Sequence, residues 1–395
     1  MKIVQINVTC GTGSTGKICT SVSKILGAEN IENYIFYVFG KSSFPYGIKY
    51  ASDKYIKLQA LKSRIFGNYG FNSQFATKRL IKELDRINPD VVHLHNIHGH
   101  NCNVAMLFSY LKDRKIKVLW TFHDCWAFTA YCPHFIMTKC DRWKKGCYDC
   151  PQRKIYSWFF DRSLYLYNKK KETMKGLVLT IIIPSKWLAE QVKQSFLKDY
   201  PVRVINNGID LSIFKPTESD FRVRYGLVGK KVILGVAFGW GYAKGLDVFI
   251  ELSNRLPENY RVVLVGTNEK VDAIIPKNII SIHRTNNQKE LAEIYTAADV
   301  FVNPTREDTY PTVNMESLAC GTPVVTFKTG GSPEILDETC GSAVPCDDID
   351  AMEMEIRRIC EEKPYSKESC LKRAQSFDMN QRFEEYVDLY KEFAK

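Results

Sequence analysis

The chain has 395 residues, 45% of them hydrophobic and 25% charged, with 23 Gly and 15 Pro. This ordinary globular usage excludes disordered, collagenous and low-complexity chains and leaves room for two or three compact domains. The net charge of +11 conceals an asymmetry, because residues 1–200 hold 31 basic against 14 acidic side chains and the remainder 24 against 30.

Strand and helix patterns alternate along the chain. Lys2–Val8 reads as a strand running into a glycine-rich loop, after which Ile18, Val22, Ile25 and Leu26 recur at helical spacing. This start does not fit a signal-peptide core, so the chain is expected to be cytoplasmic. Tyr34–Phe39, Val91–His95, Val118–Phe122 and Val178–Ile183 follow as short apolar strands. The longest apolar run, Leu177–Ile183, falls far short of the ~20 residues a membrane-spanning helix needs. The series restarts after Pro201 with Val202–Ile205, then Lys231–Ala237, Arg261–Val265, Ile279–His283, Asp299–Asn303 and Pro323–Phe327. Lys367–Lys395 reads as helix with a break at residues 376–378. Short buried strands separated by helices predict α/β folding on parallel sheets covered on both faces. The expected domains are 1–200, carrying a cysteine-rich loop at 125–151, then 201–375, then a terminal helix at 376–395 packing back on the first domain.

Gly11, Gly13 and Gly16 lie between the first strand and the first helix, where backbone N–H groups favour an anion. They satisfy the dinucleotide pattern G-x-G-x-x-G, yet the next strand ends in Gly40-Lys41 without the ribose-binding acid. They nearly form a phosphate-binding P-loop with Lys17, but Ile18 stands where a Mg²⁺-binding hydroxyl belongs. A general anion-tolerant loop and a plain tight turn both remain open. No RNA- or DNA-binding motif is present, so nucleic acid is not an expected partner.

Asn303–Pro323 places Glu307 or Asp308 in a loop after a strand and Glu316 in the following helix, so two carboxylates can converge on a polyhydroxylated ligand. Gly330 and Gly331 open the next turn and offer backbone donors. Taken as bare chemistry these residues describe a nucleotide-sugar cleft, and a capped helix with surface acids describes them equally well.

Across nearly its whole length the sequence resembles the retaining glycosyltransferases of family 4. The resemblance is carried by Gly11–Gly16, Pro89–Asn96, Thr121–Trp126, Asn207–Asp210, Lys244–Asp247, Ala298–Val300 and the acidic stretch. It implies the GT-B fold, two Rossmann-like domains facing across a cleft. The runs Pro311–Asn314 and Ala319–Pro323 are similar to the bacterial branch that builds capsular, colanic-acid-like and O-antigen polysaccharides.

By the same resemblance Glu316 would bind the donor ribose, and Asp308, or Glu307 one position earlier, would meet the transferred sugar. Lys244 would clamp the diphosphate. The usual second cation is replaced by Gly239, for which Arg306 could compensate. His123 would face the reacting sugar, the amides of Gly11, Gly13 and Gly16 with those of Gly330 and Gly331 would bind the donor, and the base would lie near Ile282–Asn287, including Arg284. Acceptor contacts are expected from His95, Asn96, His98, Asp124 and Trp126. The donor would be a UDP- or GDP-sugar and the acceptor a glycan or lipid-linked glycan, with no cofactor needed for catalysis. Gly239 and the shifted acidic pair leave a second reading, a catalytically silent subunit that binds a sugar nucleotide.

Thirteen cysteines in such a chain argue against a disulfide framework. Cys132, Cys140, Cys147 and Cys150, however, have the number and spacing for a structural zinc ion, with His134 as an alternative ligand. His93 and His95 follow one strand, and one is expected to face the core, the other a ligand. The aromatic run Ile155–Phe160 beside Lys169-Lys170-Lys171, on the basic half, suggests peripheral contact with an anionic inner membrane face.

Overall fold

A computed structural model describes residues 1–394 as two compact units, Met1–Ile205 joined by the chain from Phe383 onward, and Asn206–Arg382. The first unit contains β1 (Lys2–Ile6), α1 (Gly13–Ala28), β2 (Glu32–Tyr37), β3 (Gly47–Lys49), α2 (Asp53–Phe66), α3 (Gln74–Ile87), β4 (Val91–Leu94), α4 (Val104–Asp113), β5 (Lys117–Thr121), α5 (Arg153–Tyr156), α6 (Ser163–Met174), β6 (Leu179–Ile183), α7 (Lys186–Lys193) and β7 (Val202–Val204). The second contains α8 (Phe221–Arg224), β8 (Lys231–Val236), α9 (Leu246–Arg255), β9 (Tyr260–Val265), α10 (Glu269–Asp272), β10 (Ile279–Ile282), α11 (Gln288–Ala297), β11 (Val300–Asn303), α12 (Thr312–Ala319), β12 (Val324–Phe327), β13 (Gly341–Val344), α13 (Ile349–Glu362) and α14 (Lys367–Gln375). The last helix, α15 (Met379–Ala394), begins in the second unit and ends in the first.

Both sheets are parallel throughout, with strand orders β3-β2-β1-β4-β5-β6-β7 and β10-β9-β8-β11-β12-β13. Every residue of β4, β6, β11 and β12 is buried, as expected of strands covered on both faces. Local chemistry starts many of the helices. Ser52, Asn103, Ser185, Asn287 and Ser366 each accept a backbone N–H from the first turn that follows.

Three expectations change. Val202–Val204 pairs with β6 and closes the first sheet, so the boundary lies after Ile205 and not before Pro201. The edge strands β3 and β13 were not predicted, because Gly47-Ile48-Lys49 and Gly341-Ser342-Ala343-Val344 carry too little apolar pattern. The terminal helix starts at Met379, whose N–H donates to the Ile209 carbonyl, and its first residues stay with the second unit. From Phe383 on, Phe383, Tyr386, Val387, Leu389 and Tyr390 are buried in the first.

In each sheet the strand order reverses once, between β1 and β4 and between β8 and β11. Ligands of open parallel sheets bind beyond the carboxyl ends of the strands at such a reversal.

Candidate functional site

In the second unit, the loops leaving β8 and β11 bring Lys244 and Asp308 together. The Lys244 ammonium donates to Asp308 Oδ2 at 2.8 Å and lies 3.5 Å from the Thr305 hydroxyl. The Arg306 N–H donates to the Ala243 carbonyl and ties the two loops together. Asp308 in turn adjoins the glycine pair, since its carbonyl accepts from Gly331 N–H at 3.3 Å. Gly330 has φ +53°, and a Cβ there would stand 1.7 Å from the Asp308 carbonyl oxygen. Only glycine lets these backbones approach so closely.

Glu316 lies on α12, one turn in, where the Tyr295 hydroxyl donates to its Oε2 at 3.1 Å. Glu307 accepts the Thr305 hydroxyl through its backbone carbonyl. Asp308, by contrast, reaches Lys244 through its side chain. Arg284 is exposed on the loop after β10.

Arg306 departs from expectation. Its guanidinium is 6% exposed, forks onto Asp247 with two 2.8 Å bonds, binds Asp347 at 2.6 Å, donates to the Tyr242 carbonyl and stacks 3.7 Å above the Tyr242 ring. Two carboxylates already neutralise it, and it braces the Lys244 loop in place of the compensating cation that the sequence led us to expect. Gly239 has open space around it.

In the first unit, Gly11 and Gly13 adopt φ +75° and +69°. Gly11 N–H is already used by the Gly16 carbonyl, so the donors available to an anion belong to the first turn of α1. That turn has neither a side-chain cap nor an acid, and the helix dipole favours negative charge there.

Beyond β4 and β5 the histidines form a chain. The Gln5 amide N–H donates to the Cys19 carbonyl, which turns Oε1 toward His95 Nε2 at 3.1 Å. His95 Nδ1 is then the acceptor for His123 Nε2–H, also at 3.1 Å, with the two rings stacked. Nδ1 is left as the acceptor nitrogen of His123. Burial, reinforced by neighbouring histidines, holds His95 well below the usual range. Burial likewise takes His123 down to about 4, outweighing the opposite pull of Asp124. Both rings are therefore neutral at pH 7.

His98 bridges Asp124 Oδ2 at 2.8 Å and the Tyr69 hydroxyl at 3.1 Å. Burial alone would raise Asp124, but the charge and hydrogen bond of His98 win and bring it to about 2. Asn96 N–H is held by Asn7 Oδ1.

Two acceptor assignments fail on burial. His95 is 1% exposed and serves His123, and Trp126 is 1% exposed within the core. His93 and His95 are two residues apart and so share one face of the strand. Both are buried, with ring centroids 4.1 Å apart. Sequence reading missed Gln5, Tyr69, Tyr295 and Thr305, because their partners are distant in the chain and no local pattern marks them.

The four cysteines from Cys132 to Cys150 line one cavity. Even so, among the described residues no group of three or more His, Cys, Asp or Glu is arranged to hold a metal ion, so the expected zinc geometry is not preformed. His134 stands near Asp124 instead.

Residues 21–213 match the family model described as Glycosyltransferase Family 4, and residues 230–362 the one described as Glycosyl transferases group 1. Each half carries a glycosyltransferase family match. The D-inositol 3-phosphate glycosyltransferase of Saccharomonospora viridis is 27% identical over 215 residues, 48% of this chain and 50% of that protein. The sulfoquinovosyl transferase SQD2 of Arabidopsis thaliana is 28% identical over 295 residues, 70% of this chain and 52% of that protein. The chain spans two-fifths to half the length of the curated relatives it matches.

Solved glycosyltransferase structures resemble it over nearly all of both chains. Sucrose-phosphate synthase from Thermosynechococcus elongatus superposes with TM-score 0.72 at 16% identity, covering 99% of this chain and 98% of that one. The Anabaena protein HepE in complex with UDP-glucose gives 0.70 at 13% identity, covering 99% and 100%. At such identity the likeness establishes the fold, which is GT-B.

Proposed function

We propose that this chain is a retaining glycosyltransferase that moves a sugar from a nucleoside diphosphate sugar to a glycan or lipid-linked glycan in bacterial surface polysaccharide synthesis. The observation that carries the reading is the cluster of Lys244, Asp308, Gly330 and Gly331 at the strand reversal of the second sheet. The binding of UDP-glucose by the Anabaena neighbour supports a UDP-sugar as the donor class.

Breaking the anomeric C–O bond leaves positive charge on the sugar and negative charge on the departing diphosphate. Lys244 and the glycine amides supply fixed positive potential for that anion, and preorganised electrostatics of this kind is usually the largest catalytic term. An arriving diphosphate would compete with Asp308 for the Lys244 ammonium and release its carboxylate toward the sugar. Glu316, held by Tyr295, takes the ribose hydroxyls. The departing phosphate takes the acceptor's proton on the same face, which gives retention and needs no second nucleophile.

Glu316→Ala should weaken UDP-sugar binding at least tenfold and lower turnover in parallel, read by calorimetry and by release of nucleoside diphosphate. Unchanged kinetics from a folded variant would remove the ribose assignment. Neutralised Arg306 and uncharged Gly239 favour a second reading, a sugar-nucleotide-binding subunit without turnover. The two are separated by donor consumption measured with and without an acceptor glycan.

A membrane-linked acceptor is supported by Ile155, Trp158, Phe159, Phe160 and Tyr165, all exposed, with Arg162 over the rings of Phe160 and Tyr165 and Arg64 over Trp158. Among the described residues no helix is long and apolar enough to cross a membrane. The contact would therefore be interfacial, with aromatic rings in the headgroup layer and cations against anionic lipid.

A further inference from the structure

Between β5 and α6 the chain runs from Phe122 to Arg162 with only two single 3₁₀ turns, Trp126–Phe128 and Arg142–Lys144, and the one-turn α5. So long an irregular segment inside a compact domain needs something other than ladder hydrogen bonds to hold its shape. Most of its backbone hydrogen bonds close local turns, such as Cys140 N–H to the Phe135 carbonyl and Gly146 N–H to the Arg142 carbonyl, while Trp158 N–H reaches the Arg64 carbonyl.

Four side chains of this segment, Cys132, Cys140, Cys147 and Cys150, wall a single cavity of about 10 Å³. That is room for one ion and for no sugar, nucleotide or peptide. All four are free thiols, and each lies within electrostatic reach of the other three. Asp149, between Cys147 and Cys150, adopts φ +41°.

We propose that this cavity takes up one Zn²⁺ ion on the thiolates of Cys132, Cys140, Cys147 and Cys150, fastening the segment that follows His123 and Asp124. Four soft sulfur donors lining one cavity suit a tetrahedral d¹⁰ ion once they are drawn together, and oxygen-seeking Mg²⁺ or Ca²⁺ would be refused. Binding releases four thiol protons and leaves a net charge of −2 on the metal and its four ligands. Basic side chains already stand at hand to offset it. Lys170 is buried with Cys132 and Cys147 as its charge neighbours, and Arg142 forms part of the cavity wall. The four sulfurs are not arranged around one point before the ion arrives, so uptake has to draw them inward.

The consequence reaches the functional site. The Thr129 hydroxyl donates to the Cys132 carbonyl, and Lys170 Nζ donates to the Trp126 and Thr129 carbonyls at 2.6 and 2.7 Å. Trp126 N–H is in turn held by Asp124. Anchoring Cys132 therefore anchors the turn that carries Asp124.

The test is metal content of the full chain purified without added metal and without chelator, measured by mass spectrometry. About one zinc per chain is expected. Replacing the zinc with Co²⁺ should give the intense visible bands and near-ultraviolet sulfur charge-transfer band of tetrahedral thiolate coordination. Cys147→Ser with Cys150→Ser should lower the zinc at least tenfold. Should that variant fail to fold, Cys150→His keeps four ligands and should retain the metal, as should Cys346→Ser outside the cavity. Wild-type protein free of zinc, with the four thiols open to alkylation or paired as disulfides, would overturn the proposal. So would zinc that survives in the folded double variant.

Discussion

At the scale of single residues, the candidate site depends on where protons and charges are held. His123 presents Nδ1 as its acceptor because Gln5 fixes His95 and His95 fixes His123. His95→Leu leaves the His123 N–H without its acceptor, and an unsatisfied buried donor costs on the order of 1–3 kcal/mol. The expected result is a lower urea midpoint and a roughly tenfold fall in kcat, with His95→Gln recovering part of both. Arg306 poses the converse problem. Asp247→Asn combined with Asp347→Asn would leave the buried guanidinium without a countercharge, at a cost on the order of 1–3 kcal/mol because both carboxylates are half exposed, and denaturant unfolding should show it.

The elements matter through what they carry past the sheet edges. The motif glycines and the acidic stretch lie just beyond β1, β8, β11 and β12, where a doubly wound sheet puts its ligands. This much was readable from the alternation of apolar runs and turn residues. It was not readable that β7 belongs to the first sheet, since three residues with only half-buried or exposed side chains, Val202-Arg203-Val204, have no local signature of a partner. Nor was the use of α15. Tyr390 hydrogen-bonds His93, Tyr386 stacks on the same ring, and Lys117 reaches the Phe393 carbonyl. The end of the chain thus packs on His93, whose ring lies 4.1 Å from that of His95. Tyr390→Phe removes one buried partner of His93 and should lower stability by about 1–2 kcal/mol, measurable by thermal unfolding, while leaving the second unit unaffected.

Taken whole, the molecule divides its acid sensitivity unevenly. Burial takes His93 to about 3 and both His100 and His123 to about 4, with His95 well below the normal range. All four belong to the first unit. The unfolded chain binds these protons near pH 6.5 while the folded chain refuses them. Stability therefore falls as pH drops from about 6.5 toward 4, by up to about 1.4 kcal/mol per pH unit for each histidine. Calorimetry at pH 7 and pH 5 should show the transition of the first unit moving down more than that of the second. Asp124, lowered to about 2, adds stability that is lost only below about pH 4, outside this window.

The sequence by itself determined the α/β class, the repeated strand–helix units and the residues that cluster around Lys244, because hydrophobic period and turn chemistry are local properties that a few consecutive side chains express. Tertiary structure alone decided which charges are available and which are already neutralised. Arg306 and Lys244 look equally cationic in the chain, and His95 looks as able as His98 to meet a ligand. Folding buries Arg306 between two carboxylates and His95 beneath His123, since pairing and desolvation arise between residues far apart in sequence.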